Sequence, residues 1–304
     1  MTELRFNELR GEMVDYAIHR QERTFLPARD HCPLCPTRPG GPVTEIPFAS
    51  YEIAVFDNRF PAFESPRGAA EVVVYSDDHD ASFATLPAAR AEALMWVWRE
   101  RYEELGARPD IDYVYIFENR GVEVGVTLHH PHGQIYGYPF LPPIPALELA
   151  ADERLGGCAP CALLARELGD GSRIVHETPA TVTYVPEAAR WAYEAHVVMR
   201  EHRESLAACE ATELRSLADA LQSLARGYDA LFDRPFPYVM AVHQAPTAAA
   251  AGGGHLHVEF YPPLRTAEKL KYLAGSEQGA GTFISDTLPE ESAETLRAAI
   301  ARAA

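Results

Sequence analysis

Hydrophobic residues in the first half of the chain follow two different periods. Short runs rich in valine and aromatic residues are typical of strands and occur at residues 52–56, 70–75 and 114–117. Between the second and third runs, hydrophobic residues near helical spacing predict a helix over residues 85–106. Thr85 is suited to cap the first turn of this helix.

The same order of elements occurs again in the second half. A pair of predicted strands, a long helix and a further strand follow one another at residues 180–186, 195–199, 212–232 and 237–242. The two halves therefore have the same order of elements at similar spacing, and we interpret this as a diverged internal duplication.

The duplication predicts an α+β fold of two similar halves, with antiparallel sheets and helices packed on them. Proline-rich residues 139–151 predict a hinge, so the halves are assigned to residues 1–145 and 146–304. Residues 266–273 and 287–303 are predicted to be closing helices.

Residues 125–136 combine a glycine-rich approach with closely spaced histidines. If this segment is extended, the two-residue period of a strand directs His130, His132 and Gln134 to one face. Pro131 has no backbone donor and therefore predicts an edge strand or a locally unpaired backbone. The alternative is that these side chains are simply the polar face of a sheet.

The composition limits the partners of the protein. The net charge of -17 at pH 7 argues against a nucleic-acid groove or an anionic membrane surface as partner. No hydrophobic run approaches the roughly 18 residues that suggest a membrane span, and the acidic start at residues 1–5 does not resemble a signal peptide. We therefore expect a cytoplasmic protein that acts on small molecules.

Four of the five cysteines form two C-x-x-C pairs, and each pair is followed by two histidines at similar distances along the chain. Without a secretory signal this pattern indicates metal binding or thiol redox chemistry rather than a disulfide framework. Two thiolates and two imidazoles complete a tetrahedral zinc site. The predicted sites are Cys32, Cys35, His79 and His130 in the first half, and Cys158, Cys161, His202 and His255 in the second.

With His130 assigned to metal, His132 is available as a nucleophile. A neutral imidazole attacks phosphorus and forms a phosphohistidine without a separate base. Gln134 can donate to a phosphoryl oxygen but has no proton to give, which favours weakly basic leaving groups such as sugar phosphates. The glycine-rich approach, with the Val126 and Thr127 amides and the Thr127 hydroxyl, offers further donors to phosphate.

Three motifs in this region resemble the active-site signature of the galactose-1-phosphate uridylyltransferase family, part of the histidine-triad superfamily. They are Phe-Glu-Asn-Arg-Gly at residues 117–121, Gly-Val-Thr at residues 125–127 and His-Pro-His-Gly-Gln at residues 130–134. Weaker similarities follow in the same order over nearly the whole chain. The resemblance implies that each half has a histidine-triad-like fold.

The resemblance also implies a ping-pong exchange. His132 would displace glucose 1-phosphate from UDP-glucose, hold UMP as a uridylyl-histidine and pass it to galactose 1-phosphate, with Gln134 binding the phosphoryl oxygens. The family's zinc ligands match the first predicted zinc site. Residues that match family positions around the nucleotide, the phosphates and the hexose are Arg20, Arg23, Phe56, Asn58, Asn119, Gly125, Val126, Thr127, Lys271, Gly275 and Glu277. In the family some of these belong to the other subunit of a homodimer, so a homodimer is expected.

Two positions depart from the family pattern. Arg59 stands where the family often has an aspartate near the nucleoside, and Phe283 stands where a glutamine faces the substrate. These departures leave open a related enzyme that acts on another donor such as ADP-glucose, either a phosphorylase or an adenylyltransferase. A zinc-stabilised nucleotide-binding protein without turnover is the alternative of a different class.

The metal of the second half also has two interpretations. Some relatives bind iron there through a glutamate and three histidines, which fall on Glu148, His243, His257 and Glu259. One histidine is thus replaced by Glu259, and the second C-x-x-C pair is not a feature of the iron-binding form. Zinc on the second Cys and His set is therefore the preferred expectation.

Overall fold

A computed structural model describes residues 3–248 and 253–304, so the first two residues of the acidic start lie outside it. Within these ranges nine strands form one antiparallel sheet, and a separate two-stranded hairpin lies near the N-terminus. The strands are β1 (Glu3–Asn7), β2 (Glu12–Tyr16), β3 (Ala54–Asp57), β4 (Ala69–Val74), β5 (Tyr113–Arg120), β6 (His132–Tyr138), β7 (Ile174–Glu177), β8 (Thr181–Tyr184), β9 (Ala195–Met199), β10 (Tyr238–His243) and β11 (His257–Tyr261).

The order of equivalent strands in the large sheet is symmetric about its centre. The order β3-β4-β6-β5 is followed by β10-β11-β9-β8, and β7 is added at the far edge. At the centre β5 pairs with β10, where Ile116 lies opposite Val242 and Arg120 lies opposite Tyr238. The predicted α+β fold of two similar halves is confirmed, and the halves share one continuous sheet.

The long helices cover one face of this sheet. The described residues contain the helices α1 (Ala88–Gly106), α2 (Pro143–Leu155), α3 (Ala159–Asp170), α4 (Ala211–Leu231) and α5 (Pro289–Ala303). Trp98 of α1, Leu221 of α4 and Leu296 of α5 lie in one buried hydrophobic cluster with Ile135 of β6 and Val258 of β11. Because burying this apolar surface stabilises the fold, core residues occupy the face of the sheet that packs against α1, α4 and α5. On the opposite face, Leu164 of α3 packs against Val182 and Val198.

Short helical turns connect several of these elements. They are 3₁₀ helices at Ile18–Glu22, Arg29–His31, Phe83–Thr85, Val122–Val124 and Leu206–Ala208, and a π turn at Ser276–Ala280. Thr85 belongs to one of them: its Oγ1 accepts a hydrogen bond of 2.9 Å from the Ser82 amide. Ser82 is the N-cap of this short turn and Thr85 is the N3 residue of its capping box. The prediction that Thr85 caps the long helix is wrong, because α1 begins only at Ala88, after Pro87.

The prediction of an edge strand at Pro131 is wrong. Strand β6 begins one residue later, at His132, and lies between β4 and β5. Pro131 contributes only its carbonyl oxygen, which accepts a hydrogen bond of 3.1 Å from the Tyr75 amide. Because Pro131 lies before the strand, the backbone N–H that proline lacks is not needed for pairing in the sheet.

Two predicted segments differ from the structure. Residues 266–273 do not form a helix, because the Arg265 amide donates to the Lys269 carbonyl at 2.7 Å and the Lys271 amide donates to the Pro263 carbonyl at 2.7 Å, which closes a tight turn. The predicted hinge contains the start of α2, whose first residue is a proline. Since the boundary at residue 145 falls inside α2, the division into two domains stays a prediction.

Among the helices in residues 3–248 and 253–304, none combines the length and the hydrophobicity needed to cross a membrane.

Candidate active site and metal centres

Strand β6 carries the candidate catalytic side chains on the face opposite α1, α4 and α5. Ile135 points into the helical core and is fully buried. Because side chains alternate along a strand, His132, Gln134 and Tyr136 point to the opposite face. On the neighbouring strand β5, Phe117 is directly opposite Gln134.

The ring of His132 is held in one orientation. Its Nδ1–H donates a hydrogen bond of 2.7 Å to the carbonyl oxygen of His130, which leaves the Nε2 lone pair free. Burial lowers the pKa of His132 below its usual value, although the bond to the His130 carbonyl opposes this shift. The imidazole is therefore neutral at neutral pH, which is the nucleophilic form.

The amide of Gln134 is also oriented. Its Oε1 accepts hydrogen bonds of 3.3 Å from the Asn58 amide group and 3.3 Å from the Tyr136 hydroxyl. With the oxygen occupied, the NH₂ group is left to donate to a bound oxygen. Tyr136 in turn accepts a hydrogen bond of 3.1 Å from Arg20.

Tyr136 is a functional candidate that the sequence analysis did not single out. Its hydroxyl links Arg20 to Gln134, both of which were selected from the sequence. The two-residue period that placed His130, His132 and Gln134 on one face also includes position 136. The two-residue spacing in the sequence was therefore enough to place Tyr136 on the same face.

His132 lines two cavities. The smaller cavity has a volume of about 110 Å³ and is lined by predicted site residues that include Arg23, Phe56, Asn58, Thr127 and Gln134. The larger cavity has a volume of about 310 Å³, and its lining includes Asn119 and Val126. The imidazole thus lies where groups bound in the two cavities would meet.

The glycine-rich approach is folded more tightly than the sequence predicted. Gly121 and Gly125 have φ angles of +95° and +81°, and a Cβ on Gly121 would lie 2.6 Å from Pro237. The Gly125 amide donates to the Val122 carbonyl at 3.0 Å, and the Val126 amide donates to the Gly121 carbonyl at 3.3 Å. These two amides are engaged within the turn, so the Val126 amide is not a free donor to phosphate.

Arg59, which departs from the family pattern, lines the smaller cavity together with Glu45. The guanidinium Nη1 lies 3.1 Å from the Glu45 carboxylate, and 71% of the Arg59 side chain is exposed. The cavity therefore has an ion pair at its solvent edge.

Three predicted substrate residues, Lys271, Gly275 and Glu277, line neither of these cavities. They lie in the segment between β11 and α5, where the Lys271 ammonium is 3.6 Å from the Glu277 carboxylate. Within one chain the structure does not bring them to His132.

The first predicted metal centre is assembled in full. The ligand atoms of Cys32, Cys35, His79 and His130 all lie within 4.8 Å of one another. The Nδ1 of His79 is 3.4 Å and the Nδ1 of His130 is 3.6 Å from the Cys35 sulfur. The Nε2–H of His130 donates to the Ser76 carbonyl at 2.7 Å, so its Nδ1 lone pair faces the thiols.

At this centre the imidazoles are neutral and the thiols are protonated, and a metal ion would bind by replacing the thiol protons. Burial lowers the pKa of His130 to about 4, which keeps the ring neutral. Burial, together with the neighbouring Cys32, raises the pKa of the Cys35 thiol to about 11. Two soft sulfur donors and two neutral imidazoles fit zinc, whose binding releases the thiol protons.

The second centre repeats the first. The ligand atoms of Cys158, Cys161, His202 and His255 also lie within 4.8 Å of one another. The Nδ1 of His255 is 3.2 Å from the Cys161 sulfur, and its Nε2–H donates to the Met199 carbonyl at 2.9 Å. Burial lowers the pKa of His255 to about 4. The donor set therefore fits the same kind of ion.

A third group, Glu148, His243 and His257, meets the same distance limit. The Nδ1 of His243 is 2.9 Å from Glu148. Burial disfavours the charged form of His243, but Glu148 and Glu259 raise its pKa above the usual value. Glu259 is 3.6 Å from the His257 ring, yet it also contacts His196 at 3.3 Å. The two ligand sets that the sequence analysis treated as alternatives thus use separate residues.

Comparison with known proteins covers almost the whole chain. The family model for the galactose-1-phosphate uridyl transferase N-terminal domain matches residues 1–142, and the model for its C-terminal domain matches residues 154–303. The galactose-1-phosphate uridylyltransferase of Thermotoga maritima is 37% identical, with 98% of each chain covered. The Streptomyces lividans enzyme of the same name is 35% identical over 97% of this chain and 86% of its own.

A solved uridylyltransferase structure is similar with a TM-score of 0.85, 29% identity and 99% coverage of both chains. Both family models and both curated relatives agree with this structural similarity. The chain therefore belongs to the galactose-1-phosphate uridylyltransferase family.

Proposed function

We propose that the protein exchanges UMP between UDP-glucose and galactose 1-phosphate through a uridylyl group on His132. The observation that carries the proposal is the pair of oriented groups on β6. His132 presents a free Nε2 because its Nδ1–H is bonded to the His130 carbonyl, and Gln134 presents its NH₂ because its oxygen is occupied. A nucleophile and a hydrogen-bond donor to the phosphoryl oxygens therefore lie on the same face of one strand.

In the first step Nε2 of His132 attacks the α-phosphorus of UDP-glucose. A nitrogen–phosphorus bond forms, the bond to the bridging oxygen breaks, and glucose 1-phosphate leaves with the electron pair. The His130 carbonyl stabilises the positive charge that develops on the ring. The Gln134 amide donates to the non-bridging oxygens as their charge grows.

In the second step a phosphate oxygen of galactose 1-phosphate attacks the same phosphorus and His132 leaves as a neutral ring. The attacking phosphate is already ionised at neutral pH, so no general base is needed. Water has no such helper among these residues, because Gln134 cannot accept a proton. Transfer to the sugar phosphate is therefore favoured over hydrolysis.

Substrate binding is assigned to the two cavities at His132. We assign the uridine and ribose to the smaller cavity at Phe56 and Asn58, and the phosphates to Arg23, Asn119 and Thr127. Arg20 acts through Tyr136 on Gln134. Gly125 and Val126 shape the turn between the cavities.

The protein is proposed to act as a cytoplasmic homodimer in which Lys271, Gly275 and Glu277 of one subunit complete the site of the other. These residues line neither cavity of their own chain. A second copy would supply the cationic and hydrogen-bonding groups that a hexose 1-phosphate requires.

Zinc is proposed for both Cys and His centres. The first would be formed by Cys32, Cys35, His79 and His130, and the second by Cys158, Cys161, His202 and His255. A bound zinc ion would fix the ligand side chains and thus the local backbone. The group of Glu148, His243 and His257 has the oxygen and nitrogen donors that suit iron, which stays the alternative metal of the second half.

The competing enzyme function is nucleotidyl transfer from another donor such as ADP-glucose. The ion pair of Arg59 and Glu45 at the smaller cavity favours this alternative, because it changes the groups available to the nucleoside. The two donors can be compared directly with the same protein.

The test is to incubate the metal-loaded protein with UDP-glucose in the absence of acceptor and measure the intact mass. We expect one uridylyl group per chain, mapped to His132 by peptide analysis and absent from a His132→Asn variant. ADP-glucose in parallel should give no adduct. An adenylyl adduct alone would favour the competing donor, and no adduct with either donor would favour a binding protein without turnover.

A further inference from the structure

The second half contains a counterpart of the catalytic strand in which the amide is replaced. In β11 the Nδ1–H of His257 donates to the His255 carbonyl at 2.7 Å, as in the first half. Two residues further on, Glu259 stands where the first half has Gln134. Glu259 is only 7% exposed, so its charge requires buried partners.

One of these partners is Arg190. Its Nη2 lies 3.5 Å from Glu259 and 3.5 Å from Glu194, and the Tyr261 hydroxyl donates to the Glu259 carboxylate. The Glu259 carboxylate also lies 3.3 Å from the ring of His196. It therefore contacts the guanidinium directly and holds it in place.

The guanidinium of Arg190 in turn contacts two aromatic rings. Its Cζ lies 4.9 Å from the centre of the Tyr261 ring and 5.7 Å from the centre of the Phe283 ring. The Trp191 ring lies 6.4 Å from Phe283 at an angle of 62°. A cation and an indole thus flank Phe283, the residue that departs from the family pattern.

The residue after Phe283 binds two of the proposed substrate residues. The Ile284 carbonyl accepts a hydrogen bond from the Lys271 ammonium, and the Ile284 amide donates to the Glu277 carboxylate at 3.3 Å. The Lys271 and Glu277 side chains are only 8% and 7% exposed. A continuous series of contacts therefore runs from Glu259 to these two side chains.

We propose that Arg190 and Phe283 are positioning residues that anchor the loop of residues 264–288 to the second half and thereby place Lys271 and Glu277 for binding a hexose 1-phosphate. This inference rests on the proposed function. In the second half, the carboxylate at position 259 holds the arginine of this anchor instead of binding a phosphoryl oxygen.

The sequence supplies a specific reporter of this loop, because Lys269 and Lys271 are the only lysines in the chain. A lysine-specific protease therefore cuts the protein only in this loop. Lys269 is exposed and serves as an internal reference, whereas the Lys271 side chain is 8% exposed and is cut only when the loop opens. The masses of the fragments distinguish the two cleavage sites.

We expect Phe283→Leu and Arg190→Gln to accelerate cleavage after Lys271 about five- to tenfold relative to cleavage after Lys269. Both variants should raise the KM for galactose 1-phosphate by a similar factor, with kcat at saturating substrate and the affinity for UMP alone unchanged. Phe283→Tyr keeps the ring and should match the unaltered protein in all four measurements.

Unchanged cleavage after Lys271 in both variants would overturn the anchor. Faster cleavage with an unchanged KM would overturn its link to the substrate. If the unaltered protein forms no uridylyl adduct, the proposed function fails, and the cleavage rates still decide whether Arg190 and Phe283 hold the loop.

Discussion

The carbonyl oxygen of His130 accepts a hydrogen bond of 2.7 Å from the ring of His132. The ring of His130 itself faces the first Cys pair, with its Nδ1 3.6 Å from the Cys35 sulfur. One residue therefore belongs to the metal centre through its side chain and to the nucleophile through its backbone. An ion that fixes the His130 ring also fixes the peptide that orients His132.

This coupling predicts that the two Cys and His centres contribute differently to catalysis. We expect Cys35→Ser to remove one zinc per chain and to slow formation of the uridylyl adduct about 10- to 100-fold. Cys161→Ser is the matched control, because its centre includes His255, whose carbonyl orients His257, and neither histidine takes part in the proposed reaction. It should also lose one zinc but keep most of the rate.

Metal content by elemental analysis and single-turnover rates measure both effects. Removing zinc from the unaltered protein with a chelator should reproduce the Cys35→Ser result. Equal loss of rate in the two variants would mean that zinc supports the whole fold rather than the nucleophile.

A second prediction concerns Gln134, whose counterpart in the second half is Glu259. Gln134→Glu should lower kcat for UMP transfer by a factor of about 10² to 10³, because a donor to the phosphoryl oxygens becomes a negative charge. Gln134→Ala removes the donor without adding charge and should lose less activity. If the Glu variant is as active as the unaltered protein, Gln134 does not bind the reacting phosphoryl group.

The hydroxyl of Tyr136 should have a smaller effect on the same step. Tyr136→Phe removes one of the two donors to the Gln134 oxygen and should reduce kcat about five- to tenfold, since a neutral hydrogen bond contributes about 1 kcal/mol. Tyr138→Phe, two residues further along the same face, is the control and should leave kcat unchanged. Steady-state kinetics with both variants checks this expectation.

The fold and the two sets of Cys and His ligands were largely predictable because they depend on patterns that repeat along the chain. The order of strands and helices follows from hydrophobic periodicity, and the two C-x-x-C pairs with their histidines repeat in both halves. The structure brings each predicted set of four ligand atoms to within 4.8 Å. Both patterns are visible along the chain without knowledge of its tertiary contacts.

Other features were not predictable because tertiary contacts decide them. Pro131 predicted an edge strand, but β6 lies inside the sheet. The proline precedes the first residue of β6 and therefore does not prevent this strand from pairing on both sides. Residues 266–273 have helical character in sequence, yet backbone bonds to Pro263 and Lys269 close a turn instead. The contacts of Phe283 with Arg190 and Trp191 join segments that are far apart in sequence.

The last prediction concerns the stability of the fold and the buried carboxyl of Glu118. Glu118 is 3% exposed, and burial raises its pKa from 4.5 to about 7, against the opposing charge of Arg120. Because the pKa of this carboxyl is higher in the folded than in the unfolded state, the folded state binds the proton more tightly. The resulting stabilisation is fully present below about pH 4.5 and is lost as the pH rises through about 7. For a pKa shift of this size, the free energy of unfolding falls by on the order of 3 kcal/mol.

Glu118→Gln carries no charge at any pH, so its stability relative to the unaltered protein should rise between pH 5 and pH 8. Urea denaturation of both proteins at the two pH values measures this difference, and Glu103→Gln, whose side chain is 51% exposed, is the control that should show none. The Tyr238 hydroxyl lies 3.5 Å from Glu118 and can donate equally to an amide oxygen, so this contact does not distinguish the variants. A relative stability of Glu118→Gln that is the same at pH 5 and pH 8 would show that Glu118 stays in one protonation state across this range.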